Sequence, residues 1–137
     1  MTDYRKPLPL PDQDSKPFWD RVREHNFSMQ QCKDCGHFRF PPRIICPECS
    51  SFEYEWAPLS GRAQVFAHVT YHHIYGPMWA PDVPYNVSII ELQEGPKMFS
   101  NVIGCKPDEV YVGMPLELVY DDVTEEFTLP KFRPAAA

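Results

Sequence analysis

Two stretches, Cys32-Lys33-Asp34-Cys35-Gly36 and Cys46-Pro47-Glu48-Cys49, decide how this chain is read. Each Cys-x-x-Cys pair can place two sulfurs on one side of a tight turn. Two such turns, ten residues apart, can face each other and offer four thiolates at the corners of a tetrahedron. That is the geometry Zn²⁺ accepts in structural sites, so Cys32, Cys35, Cys46 and Cys49 are the predicted metal ligands. The turn after the second sulfur often needs a positive φ, which Gly36 supplies without steric cost. Pro47 stiffens the second turn. The competing reading, two redox dithiols, lacks the βαβ context it requires.

Four protein sulfurs fill the zinc shell and leave no open position for water or substrate, so the expected metal is structural. The ribbon, residues 27–58, is too short to bury a core of its own. Metal binding replaces that core, with apparent energies of about 10–16 kcal/mol in zinc-finger peptides. Lys33, Arg39 and Arg43 lie nearby in sequence. They either offset the negative charge of the thiolates or are ordinary solvated charges.

With 137 residues the chain is one domain, or a small appendage plus one. Its 16 prolines argue for loops, short strands and extended tails over long helices. A net charge of −6 argues against a general binder of phosphate backbones. No apolar run follows Met1-Thr2-Asp3-Tyr4-Arg5-Lys6, so no secretion signal is expected. No run approaches a membrane span. Clustered thiols without such a signal fit a reducing cytoplasm.

Residues 1–14, with Pro7, Pro9 and Pro11, read as an extended arm, either mobile or held by a partner. Residues 15–26 are the helix candidate: Pro17 suits the first turn, and Phe18, Trp19 and Val22 share one face. Such a short helix must dock, on its own domain or on a partner subunit. Short strands flank the first knuckle, and Phe52, Tyr54 and Trp56 alternate with polar residues beyond the second. The remainder, 59–134, reads as all β. A long strand runs from Arg62 to Ile74, with Ala63, Val65, Ala67, Val69 and Tyr71 on one face. Further strands are expected at Tyr85–Leu92, Met98–Ile103, Leu116–Tyr120 and near Phe127–Leu129, with a single turn at Pro107–Val110 and a tail at 135–137. The predicted fold is therefore mainly β: a helix and a rubredoxin-like zinc ribbon followed by a five-stranded OB-fold barrel. An SH3-like barrel is the alternative.

The chain offers no convincing active site of its own. His68 and His72 would sit about 13 Å apart along a strand, too far to share a metal. His73 points the other way. Cys105 has no evident base beside it in sequence, as a nucleophile would need.

Several stretches together resemble a known family. A ribbon with Phe40-Pro41-Pro42-Arg43 between its knuckles precedes Val83-Pro84-Tyr85, Glu91-Leu92-Gln93-Glu94-Gly95-Pro96 and Asn101-Val102-Ile103-Gly104-Cys105. Gly113-Met114-Pro115-Leu116 and Leu129-Pro130-Lys131-Phe132-Arg133-Pro134 follow. The whole, from about residue 15 to 134, is similar to the zinc-ribbon/OB-fold family associated with acyl-CoA metabolism. The resemblance implies a non-catalytic accessory subunit. Its expected partner is a thiolase-superfamily enzyme: a thiolase, a lipid-transfer-protein-like aldolase or an acyltransferase acting on CoA thioesters. The small subunit would steady the complex and border the CoA or acyl-CoA channel.

OB-fold logic, in which strands two and three and adjoining loops bind ligands, selects Tyr75, Met78, Trp79 and Tyr85 as contacts for CoA, an acyl chain or the partner. These residues could equally cap the barrel end. Arg43, Lys131 and Arg133 are candidates for CoA phosphates. Two other functions compete. One is a single-stranded nucleic-acid-binding ribbon/OB module, against which residues 106–126 set seven acids and Lys106 alone. The other is an independent acyl-CoA enzyme relying on His72 or Cys105.

Overall fold

The computed structural model describes residues 4–135. The expected arm and tail thus fall partly outside the described residues. Helix α1 spans Lys16–Arg23, shorter than expected. Pro17 occupies the first turn, where a missing N–H is harmless. Just before it, Ser15 N–H donates to the Asp12 carboxylate at 2.8 Å. The helix stops because His25 turns left-handed, with φ 59°. Asn26 N–H then reaches back to Arg21 O at 2.8 Å and His25 N–H to Val22 O at 2.9 Å. This is a Schellman closure with histidine where glycine is usual. Tertiary contacts offset the strain: the imidazole stacks on Tyr120, centroids 4.3 Å apart, and bonds Asp122 at 2.9 Å. Phe18 and Val22 are buried against the rest of this chain, so α1 docks on its own molecule.

The ribbon is a three-stranded antiparallel sheet in the order β2-β1-β3, with β1 Ser28–Cys32, β2 Phe38–Arg39 and β3 Tyr54–Pro58. It joins the barrel directly, through Leu59 N–H on Phe27 O at 2.9 Å and Phe27 N–H on the Tyr120 hydroxyl at 3.0 Å.

The barrel comprises β4 Arg62–Tyr71, β5 Tyr85–Leu92, β6 Lys97–Ser100, β7 Pro115–Asp122 and β8 Thr128–Pro134. Its sheet order is β6-β5-β4-β7-β8. It closes where Phe132 N–H bonds Asn101 O at 3.0 Å and Ile103 N–H bonds Phe132 O at 2.7 Å. A first strand paired with the second and fourth, and a fifth closing on the third, is OB-fold connectivity. The helix usual between strands three and four is a single 3₁₀ turn, Pro107–Glu109.

Three local expectations need correction. Strand β4 ends at Tyr71, not Ile74, and a six-residue 3₁₀ helix, Pro77–Asp82, fills the following loop. The faces of β4 also change phase. Phe66 is bulged, so Val65 pairs with Ile90 while Ala67 pairs with Ile89. Val65 is buried, but Val69 and Tyr71 beyond the bulge point outward. The cause lies across the sheet, where Gly113 N–H bonds Val65 O at 2.8 Å and Val65 N–H bonds Met114 O at 3.1 Å. Finally, β6 is shorter than expected and β8 longer. Strand β8 tolerates Pro130 and Pro134 because their register with Phe132 turns their nitrogens away from β7.

One core unites the parts. Phe18 meets Phe40 at 5.3 Å and Phe27 at 6.2 Å, and Phe27 meets Phe132 at 6.5 Å. Helix, ribbon and barrel are therefore packed through a continuous aromatic run.

Candidate metal centre and ligand face

The two knuckles repeat the same local geometry. Gly36 N–H bonds Cys32 O at 3.0 Å, and Ser50 N–H bonds Cys46 O at 2.9 Å. Cys32 N–H bonds His37 O at 2.8 Å, and Cys46 N–H bonds Ser51 O at 2.9 Å. Both turns need a left-handed residue: Gly36 at φ 80° in the first, Ser50 at φ 64° in the second. The sulfurs of Cys32 and Cys49 approach to 3.6 Å and those of Cys35 and Cys46 to 3.5 Å. All four lie within 4.8 Å of one another. Zn–S bonds of about 2.3 Å give tetrahedral edges near ~3.8 Å, so the donor set fits zinc.

The electrostatics favour a cation as well. The N–H groups of Cys35 and then Asp34 help hold the Cys32 thiol down at about 6, against burial. Cys46 is pushed up by burial, but the N–H groups of Cys49 and Glu48 outweigh this and leave it lowered. The second sulfur of each knuckle behaves oppositely. Cys49 receives the Ser51 N–H, yet burial and the sulfurs of Cys35, Cys32 and Cys46 push it up to about 12. Cys35, despite the His37 N–H, is raised by burial and by Cys46. A bound dication would resolve the conflict by holding all four as thiolates. Among the described residues these cysteines are the one cluster of three or more candidate metal ligands.

Arg39 sits beside this centre and has a role beyond the two expected for it. It is 0% exposed. Its Nη1 donates to the Arg43 and Ile44 carbonyls, both at 3.4 Å, and its Nη2 to those of Ser51 and Glu53, both at 3.0 Å. The guanidinium thus ties together both ends of the second knuckle loop. Its carbon also lies 5.0 Å from the Tyr54 ring centre. Arg43 is fixed by its backbone, whose N–H reaches the buried Gln30 side chain at 2.8 Å.

A second region forms at one end of the barrel. Trp79 stacks on Tyr85 at 5.6 Å, Tyr85 on Tyr71 at 5.4 Å, and Tyr71 meets Tyr75 edge-on at 6.0 Å. Tyr75, Trp79 and Tyr85 are therefore brought together, with Tyr71 added by the bulge. An open groove of ≈ 690 Å³ runs over Tyr71, Tyr75, Trp79 and Tyr85 to Phe99. Trp79 and Tyr85 also line a cavity of ≈ 300 Å³, together with Lys6, Asn101, Cys105 and Lys131. Met78 lies in an adjoining pocket with Tyr4 and Lys6. Arg43, on the ribbon, and Arg133, bonded to Glu117 at 2.7 Å, line neither groove nor cavity.

Lys6 is a contact the sequence reading missed. It bonds Asp82 at 2.6 Å and lies 5.3 Å from the Trp79 ring centre, which pins the N-terminal arm across the aromatic loop. Asn86 is another. Fully enclosed, it donates to Val102 O at 2.6 Å and accepts Val102 N–H at 3.0 Å, filling the gap where β6 leaves β5. Single polar residues inside an apolar strand pattern were its only signal. His72 and His73 lie exposed beyond β4. The Cys105 thiol is raised by burial and by Glu109, so it is held protonated.

Fold and site define a class: a four-cysteine zinc ribbon joined to an OB-fold barrel. Residues 19–55 match the family described as "ChsH2, rubredoxin-like zinc ribbon domain", and residues 56–121 match "ChsH2, C-terminal OB-fold domain". A "DUF35 domain-containing scaffold protein" of Methanocaldococcus jannaschii is 37% identical over 110 residues, covering 79% of this chain and 77% of that protein. The chain belongs to this ChsH2/DUF35 family. The solved structure titled "Ltp2-ChsH2(DUF35) aldolase" superimposes with a TM-score of 0.86 at 33% identity, over 94% of this chain and all of that one. A "Probable enoyl-CoA hydratase alpha subunit" of Thermomonospora curvata is 33% identical across 95% of this chain, which spans only 40% of that protein's length. The "Benzoylsuccinyl-CoA thiolase subunit BbsA" of Thauera aromatica is 30% identical over 74 residues, 54% of this chain and 49% of that one.

Proposed function

We propose that the chain is a non-catalytic accessory subunit of a thiolase-superfamily enzyme acting on CoA thioesters in the cytoplasm. The observation that carries this reading is the likeness over the full length of the ChsH2(DUF35) chain of an aldolase. A relative named as a thiolase subunit and another named as a scaffold support it. Cys32, Cys35, Cys46 and Cys49 would hold a zinc ion with no open position left for substrate, and the metal would supply rigidity. On this reading the chemistry belongs to the partner, as the relatives named as scaffold proteins support.

Tyr75, Met78, Trp79 and Tyr85 would border the CoA or acyl-CoA channel. Lys131 and Lys6 line the cavity beside Trp79 and Tyr85, but each is already paired with a carboxylate, Asp121 and Asp82, and would have to exchange that partner to meet a CoA phosphate. Arg43 would join them only across the partner's surface. The nucleic-acid reading lacks a basic groove to rest on. Lys6, Lys97, Lys131 and Arg133 are each paired with a carboxylate, at 2.6, 3.6, 2.7 and 2.7 Å.

Co-purification from the native host, followed by recombinant co-expression with the recovered enzyme subunit, tests the proposal. A stable hetero-oligomer whose turnover needs this chain is expected. A monomeric chain beside a fully active partner would refute it.

A further inference from the structure

The outer face of β4, β5 and β6 carries almost no charge. Glu91 and Lys97 pair at 3.6 Å at one end, and Lys97 lies over Phe66 at 4.7 Å. Beyond them the outward rungs are Ala67 with Ile89, Val69 with Val87, and Tyr71 with Tyr85, flanked by Phe99 opposite Ile89. Phe99 is 74% exposed, Val69 53% and Phe66 49%. The bulge at Phe66 creates this face, because it turns Val69 and Tyr71 out of the core. At about 200 Å² per fully exposed aromatic ring, the exposed apolar area including Tyr75 is on the order of 600 Å². That is the size of the largest patch on a typical monomer, and near the ~800 Å² one partner contributes to a standard interface.

We propose that this face, centred on Val69 and Phe99, is where the catalytic subunit of the preceding section docks, through an equally apolar and charge-free surface. The inference rests on that reading and adds the place of contact. Charge selects the occupant. A second copy would bring another chain of net charge −6 against the first, which like-charge repulsion disfavours. Position selects it as well. The face runs without interruption into the groove over Tyr75 and Trp79, so a subunit seated on it brings its CoA channel to the aromatic loop.

The test uses the recombinant complex of this chain with the catalytic subunit recovered by co-purification. Val69→Asp and Phe99→Asp alter exposed positions, and Phe52→Asp on the exposed ribbon surface is the control. Zinc content and thermal unfolding of each isolated variant verify the fold. Val69→Asp and Phe99→Asp are expected to weaken the complex by about 100-fold or more, with Phe52→Asp unchanged. A wild-type complex that survives both substitutions overturns this inference and leaves the accessory reading intact. No complex with wild type overturns the accessory reading itself. A wild-type chain that sediments alone as a dimer, and becomes monomeric on Phe99→Asp, assigns the face to a second copy and overturns the inference as well.

Discussion

Arg39→Leu is the most informative perturbation of the metal centre that leaves its sulfurs untouched. The wild-type guanidinium bonds four carbonyls, two before Cys46 and two after Cys49. Hydrogen bonds to a charged donor contribute about 1.5–3 kcal/mol each, which gives an upper bound of about 12 kcal/mol. Two effects reduce it. The 3.4 Å pair is long and weak. Removing a buried charge also recovers desolvation energy, and the Nε of Arg39 has no partner to lose. A net loss of about 2–4 kcal/mol remains, or a Tm lowered by about 6–15 °C for a chain of this size. Because Ser51 O also receives the Cys46 N–H, the loss should reach the metal. Zinc transfer to a chromophoric chelator should therefore quicken more than tenfold. Arg39→Lys, a point charge with three donors, should recover only part of both effects. Unchanged chelator kinetics together with a Tm within about 1 °C of wild type would refute the argument that this residue holds the second knuckle.

Other expectations follow from the same geometry. Zinc affinity should fall steadily from about pH 8 to about pH 5, because protons compete for the thiolates; chelator competition across that range measures it. Asn86→Ala leaves the buried Val102 N–H and C=O unpaired and should cost about 3 kcal/mol, read as a lower urea midpoint at unchanged m. Gly61→Ala forces a side chain at φ 81° and places its Cβ 3.0 Å from Leu118 Cβ, so a loss of about 1–2 kcal/mol is expected in the same assay. The Thr128 hydroxyl, and then His25, lower the pKa of Asp122. Its contribution is therefore present above the unfolded carboxylate pKa and lost as pH falls through the lower folded one. Asp122→Asn should lower Tm at neutral pH, and the gap to wild type should close in acid.

The features legible in sequence were those whose cause is local. Paired Cys-x-x-Cys turns carry their geometry in four residues, and Gly36 announces the left-handed position it fills. Pro17 marked the helix start for the same reason. The helix end was hidden because His25 is left-handed only by virtue of Tyr120 and Asp122, some hundred residues away. Ser50 repeats the conformation of Gly36 without the glycine that would have signalled it. The bulge at Phe66 was hidden too, since its cause is the bonding of Val65 to Gly113 and Met114. That miss bears most on the proposed docking face. A strict alternation buries Val69 and Tyr71, and with them part of the apolar face and the central ring of the aromatic cluster.

The bulge and the metal address one physical problem from two sides. An outer sheet face can be apolar only if the inner face still fills a core, and here the core is small. The barrel interior is completed from outside by Phe27 of the ribbon strand and Phe18 of α1, against Phe132. Phe18 is held in turn by Phe40, the residue that follows β2. Zinc held by the four cysteines would therefore stabilise the barrel at a distance, by fixing the ribbon that plugs it. Stability drawn from such a metal would let Val69 and Phe99 stay outside the core, on the face proposed above for the catalytic subunit.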